Sequence, residues 1–152
     1  MLGLAEYLAE NGCRMKRRGV FNTKRSIREC AAADECSSLM DLVSYGGNPE
    51  HKKNPGDFGL TPPSSPRPDK TLCDGVGIVS RRQALRLLRE GIRRGLISNQ
   101  MRGRFPQNIW AVTSDGAPLE AQLENPDMGI YHGYPLPEHD PFRERVLERW
   151  SS

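Results

Sequence analysis

The chain has 152 residues, enough for one domain with an added N-terminal segment, and only 36% of them are hydrophobic. Mean hydropathy is −0.65, so the core is modest, and no stretch approaches the roughly 18 apolar residues that a membrane helix needs. The net charge of +3 hides an asymmetry, with bases gathered in residues 14–28 and 81–104 and acids after Asp115, which points to a polyanion on one face.

Leu2 to Glu10 predicts a short helix closed by Asn11-Gly12. Glu6 interrupts the first apolar run, so no signal peptide is expected. Cys13, Cys30, Cys36 and Cys73 show no CxxC spacing and have no histidine nearby. Neither a zinc site nor a disulfide framework is indicated; reduced thiols and a cytoplasmic location are expected, with signal-independent export left open. The basic run Cys13 to Arg18, continued from Thr23 to Arg28, reads either as a solvated or disordered arm or as an arm gripping nucleic-acid phosphates. Ser26 to Val43 predicts a helix in two pieces, broken at Gly46-Gly47-Asn48-Pro49. The chain thus divides into an N-terminal helical segment with a basic arm, residues 1–45, and an α+β core, residues 46–152, whose residues 46–79 form a proline-rich loop.

That loop holds Pro49, Pro55, Pro62, Pro63, Pro66 and Pro68, which remove donors and restrict their predecessors, so little regular structure is expected there. Its first part sets His51 beside Lys52 and Lys53, ahead of Gly56-Asp57-Phe58-Gly59. Two adjacent ammonium groups favour the neutral imidazole, the form that accepts a proton.

Ser80 predicts a helix start, with Gln83 completing a capping box. Leu85, Leu88, Ile92 and Leu96 recur at three and four, and Arg82, Arg86, Arg89 and Arg93 lie opposite them. This arginine face is either a solvated surface or an anion-binding stripe. The second reading is favoured because every base on the helix is Arg, whose planar fork suits phosphate, and only Glu90 offsets them. Gly95 is a left-handed C-cap. Leu96 to Gln100 predicts a strand, residues 101–107 a loop projecting Arg102 and Arg104, and Ile109 to Thr113 the best strand of the chain. Asp115-Gly116 turns it. Leu119 to Leu123 alternates, predicting one buried and one wet face, and Ile130 to Tyr134 returns as a further strand. A last helix starts at Asp140 or Pro141 with Phe142, Val146 and Trp150 as its stripe, closing the sheet on the opposite side or covering an edge. The expected class is α+β, with N-terminal helices, the arginine helix packed on a three- to four-stranded antiparallel meander, and a C-terminal helix.

Only three histidines exist, His51, His132 and His139, and no phosphate loop, nucleophile elbow or carboxylate cluster with metal spacing is present. His, Lys, Arg and Tyr without a metal suit cleavage of an RNA phosphodiester by its own 2′-hydroxyl, which needs a base, an acid and cations around the phosphorane-like transition state. His51-Lys52-Lys53 followed by Asp57-Phe58-Gly59, a helix and an antiparallel meander resembles bacterial ribonuclease toxin domains of the barnase, endoU, colicin and RelE-like group, and the colicin D tRNase domain among them. The likeness spans roughly residues 48–135. It departs in Lys/His order and in the proline-rich insertion. The resemblance implies a toxin-like, metal-independent endoribonuclease, with His51, Lys52, His132 and Tyr131 in or beside the catalytic site. Lys53, Arg82, Arg86, Arg89, Arg93, Arg102 and Arg104 would then meet the nucleic acid, no cofactor or metal would be needed, and the partners would be RNA and a cognate immunity or antitoxin protein. Alternation on the last strand puts Tyr131 on the face away from His132 and Tyr134. Two other readings stand beside this one. A winged-helix nucleic-acid-binding protein would use the hairpin as its wing but needs two packed helices just before it. A non-enzymatic protein-interaction module would use the acidic C-terminal region.

Overall fold

A computed structural model of the chain describes residues 25–46, 78 and 80–152. Among the described residues the fold is α+β, with three helices, a four-stranded mixed sheet and a two-stranded hairpin. The expected helix at Leu2 to Glu10, the run from Cys13 to Arg18 and the His51-Lys52-Lys53 segment lie outside the described residues.

The first helix, α1 (Ala33–Leu42), is shorter than the sequence pattern suggested. Asp34 and Glu35 favour its positive N-terminal end, and Cys36 and Leu39, three apart, are its buried residues. The residues before it are not helical. Ile27 bridges Ser98, and Arg28 N donates to Ile97 O, because a buried Ile27 completes the core better in an extended segment than on a solvated turn. Nor are Arg25 and Arg28 part of a solvated arm: Arg28 pairs with Glu35 at 2.7 Å, and Arg25 with Glu120 at 2.8 Å.

Strand β1 (Ser44–Tyr45) follows α1 directly. Helix α2 (Arg81–Arg93) opens on the expected capping box, in which Gln83 N donates to Ser80 Oγ and Ser80 N donates to Gln83 Oε1. Gly95, at φ 80°, takes the left-handed conformation that ends it. The segment 101–107 is not a loop. It forms a hairpin of β2 (Met101–Arg102) and β3 (Phe105–Pro106), with Gly103 at φ 66° supplying the positive φ of the turn.

β4 (Asn108–Val112), β5 (Pro118–Asn125) and β6 (Ile130–Pro135) make the antiparallel meander. The meander is extended at both edges. β1 adds to β6 in parallel, giving the order β1-β6-β5-β4, and residues 96–99, which form only isolated bridges and not a full strand, link β4 to Ile27. The wet face expected of β5 is largely covered, and Glu120 is 3% exposed.

Alternation sorts the sheet into two faces. Ile109, Ala121, Leu123 and Tyr131 pack under α1 and α2, against Leu39, Leu88 and Ile92. Trp110 and Val112 point the other way, into a cluster with Ile27, Leu96 and the helix α3 (Phe142–Ser151), which contributes Phe142 and Val146. The C-terminal helix therefore covers the face opposite α2. The indole of Trp110 is 0% exposed and its Nε1 donates to Glu120, while the β4–β5 turn at Ser114-Asp115-Gly116 is exposed.

Candidate functional site

The sheet face that α2 does not cover carries a row of polar side chains. Register puts Trp110 beside Glu120 and Glu120 beside Tyr134, then Asn108 beside Gln122 and Gln122 beside His132. All of these share one face by strand alternation.

The row is anchored at Glu120. Its carboxylate accepts from Trp110 Nε1 at 3.0 Å, from Arg25 Nε at 2.8 Å and from the Tyr134 hydroxyl. Arg25 reaches past it to Asp140 at 2.9 Å, and Asp140 also accepts from Phe142 N at the start of α3. Burial disfavours the Arg25 cation, but Glu120 and Asp140 together outweigh it and hold its pKa above the ordinary value. A nearly sealed carboxylate of this kind is held by three donors, as a buried charge must be.

Tyr134 links the anchor to the rest of the row, since Gln122 Nε2 donates to its hydroxyl at 3.1 Å. Burial, and then the Glu120 charge, push the Tyr134 phenol well above its ordinary pKa, so it is a donor and not a base. His132 lies at the outer end of the row. Its side chain is 15% exposed, and Nδ1 is 3.7 Å from Oε1 of the exposed Glu124. An imidazole beside a carboxylate is suited to accepting and returning a proton near neutral pH, with the carboxylate steadying the charged ring. The second amide N–H of Gln122 on the same face suits a phosphate oxygen that gains charge.

Tyr131 is elsewhere. It is 0% exposed in the core under α1 and α2, and its hydroxyl donates to Pro106 O. Burial raises its pKa, so it stays protonated where no substrate reaches it in this conformation. The α2 arginines are also remote from His132 in one definite sense, because α2 packs on the Tyr131 face and its arginines point outward from there. Arg93 is committed to Glu90, and Arg89 Nε donates to Met40 O at 3.0 Å. Arg102, on the hairpin, donates to Leu123 O at 3.3 Å, and the Arg104 guanidinium lies 5.9 Å from the Phe105 ring centroid. His51, Lys52 and Lys53 lie outside the described residues.

Glu120, Gln122 and Arg25 were not singled out from the sequence. The signals were there in part: Glu120, Gln122 and Glu124 repeat at every second residue, as do His132 and Tyr134. What alternation could not reveal is that Arg25, 95 residues away, would seal the row at one end.

The chain matches no family model, no curated protein and no solved structure. Among the described residues no group of three or more His, Cys, Asp or Glu is placed to hold a metal, and no helix is long and apolar enough to cross a membrane. The cavity between α2 and the sheet is apolar and about 30 Å³, far below the roughly 300 Å³ at which small-molecule pockets begin.

Proposed function

We propose that the chain is a metal-independent endoribonuclease that cuts RNA by attack of the 2′-hydroxyl on the adjacent phosphorus. One observation carries this reading: His132, 15% exposed, stands at the end of a polar row away from Arg25, with Glu124 at its Nδ1 side and Gln122 and Tyr134 on the same face. His132 exchanges the proton with the ribose 2′ oxygen or the leaving 5′ oxygen, and the second amide N–H of Gln122, oriented by its bond to Tyr134, lies beside it to meet a phosphate oxygen. The bond from 2′ oxygen to phosphorus forms as the bond to the 5′ oxygen breaks, leaving a 2′,3′-cyclic phosphate and a 5′-hydroxyl. His51 and Lys52 remain, on the sequence pattern alone, as the second proton-transfer group and its neighbouring cation. Tyr131 has no catalytic part in this scheme.

Purified chain with tRNA or total RNA in the presence of a chelator tests it. Cyclic-phosphate ends are expected, and His132→Ala and His51→Ala should each slow cleavage by about 10²- to 10⁴-fold. If the wild-type chain leaves both RNA pools intact, the nuclease reading fails.

A further inference from the structure

The seam between α1 and α2 opens into two adjoining depressions that share Met40. One, about 260 Å³, is lined by Arg82, Arg86 and Arg89 with Leu85 and Glu90. The other, about 410 Å³, is lined by Arg93, Arg94 and Arg149, with Glu29 and small uncharged residues of the segment leading into α1. The six arginines are not equivalent. Arg93 and Arg94 hold Glu90, and Arg149 donates to the carbonyls of Arg28 and Gly95. These arginines are fixed in place by their neighbours. Arg82 and Arg86 are exposed, and among the described residues neither has an acidic partner.

We propose that this seam is a track for the backbone of a single RNA strand, set on the side of the sheet opposite His132. The choice of RNA rests on the nuclease reading; the binding itself does not. Arg82 and Arg86 are four residues apart on one helix face, which spaces them about 6 Å along its axis, one turn, and leaves two open guanidinium forks in file. Arg89, tied to Met40 O, continues the file at a fixed orientation. Among the described residues no aromatic side chain lines either depression, so none of them offers bases a stacking surface and their contacts fall on phosphates. A protein partner would call for an apolar, charge-poor centre; the smaller depression is instead lined mostly by charged side chains, with Arg82, Arg86 and Arg89 outnumbering Glu90. Because α2 separates the track from the His132 face, its loss should weaken substrate binding without changing the chemical step.

The test uses the full chain and a fluorescent single-stranded RNA whose 2′ positions are methylated, so that it cannot be cut through a 2′-hydroxyl. Binding is followed by anisotropy across a salt series. The wild type should bind, and Arg82→Gln with Arg86→Gln should flatten the slope of log affinity against log salt by about 1.4, the release expected from two phosphate contacts on a single strand. Arg82→Lys with Arg86→Lys should restore the slope, and Arg145→Gln, an exposed charge on α3, should leave it unchanged. With unmodified RNA, the double Gln variant should raise KM and keep kcat. No binding by the wild type at low salt overturns the proposal. So does an unchanged slope in the double Gln variant, the same loss in Arg145→Gln, or displacement of the strand by polyglutamate at equal charge, which would assign the seam to an acidic protein. A chain that binds the methylated strand yet leaves ordinary RNA intact refutes the nuclease reading and supports the track.

Discussion

Gly91 lies against the backbone of Trp110: a Cβ at position 91 would sit 2.2 Å from Trp110 O and 3.2 Å from the Ile109 side chain. Helix α2 and strand β4 touch here backbone to backbone. On propensity alone Gly91→Ala should stabilise the helix by about 1 kcal/mol. The clash is with a strand carbonyl, not with a flexible side chain, so it should prevail, and the helix must lift off the sheet. A net loss of about 1–3 kcal/mol is expected, the usual cost of overpacking. Urea unfolding followed by Trp fluorescence measures it, and a stability gain would show that the contact is looser than described.

Glu120 is held by Arg25, Trp110 and Tyr134 together, so its removal takes the acceptor from Trp110 Nε1 and the Tyr134 hydroxyl and leaves a guanidinium that is only one fifth exposed with a single carboxylate. Glu120→Ala should therefore cost about 3–5 kcal/mol, as breaking one side of a buried pair does. Arg25 retains Asp140 as a partner. Adding Asp140→Asn to Glu120→Ala should then cost more than Asp140→Asn alone, and a double-mutant cycle would read that coupling. Strict additivity would mean that the two carboxylates do not share Arg25.

The parts of this fold that were legible in the sequence are those whose cause is local. The Ser80–Gln83 box, the Gly95 stop, the β-branched and aromatic content of β4 and the alternation of β6 each depend on residues within a few positions. The parts that were not legible depend on long-range pairing. Ile27 looked helical because its neighbours have no strand pattern, yet it is extended where it meets Ser98. The β2–β3 hairpin was hidden by its two-residue strands, and β1 joins β6 in parallel across 85 intervening positions, which no periodicity announces. Which side of the sheet an arginine helix occupies is a matter of topology too. Its arginine face was visible, but its separation from His132 was not.

Glu90 offers a pH test on the same helix. Hydrogen bonds from Arg93 and then Arg94 lower its carboxyl from an ordinary value of 4.5 to about 2. A carboxyl depressed on folding stabilises the folded chain fully above the unfolded value, and that contribution fades as pH falls from about 4.5 toward 2. The carboxyl signal of Glu90 in an NMR titration should show its midpoint near the lower end of that range. Arg93→Gln should move the midpoint upward. Because the site is near the surface, added salt should also shift it upward. A midpoint of about 4.5 in the wild type would mean that the arginines do not engage Glu90 in solution.

Tyr131 and His132 are neighbours in the chain on opposite faces of β6, and this separates structural from chemical effects. Tyr131→Phe removes one buried hydroxyl that donates to Pro106 O, leaving that carbonyl without its donor. A loss of about 1–3 kcal/mol of stability is expected, with cleavage per folded molecule unchanged. His132→Ala removes a ring that is 15% exposed, so some stability should go with it, while cleavage per folded molecule falls steeply. Glu124→Gln should leave His132 in place but withdraw the carboxylate charge 3.7 Å from Nδ1, so cleavage should fall by less than in His132→Ala. The decisive comparison is kcat at a temperature where all three variants are folded. If Tyr131→Phe lost as much of it as His132→Ala, the catalytic group would have to be sought on the face beneath α2, and the polar row would be only the support of the sheet.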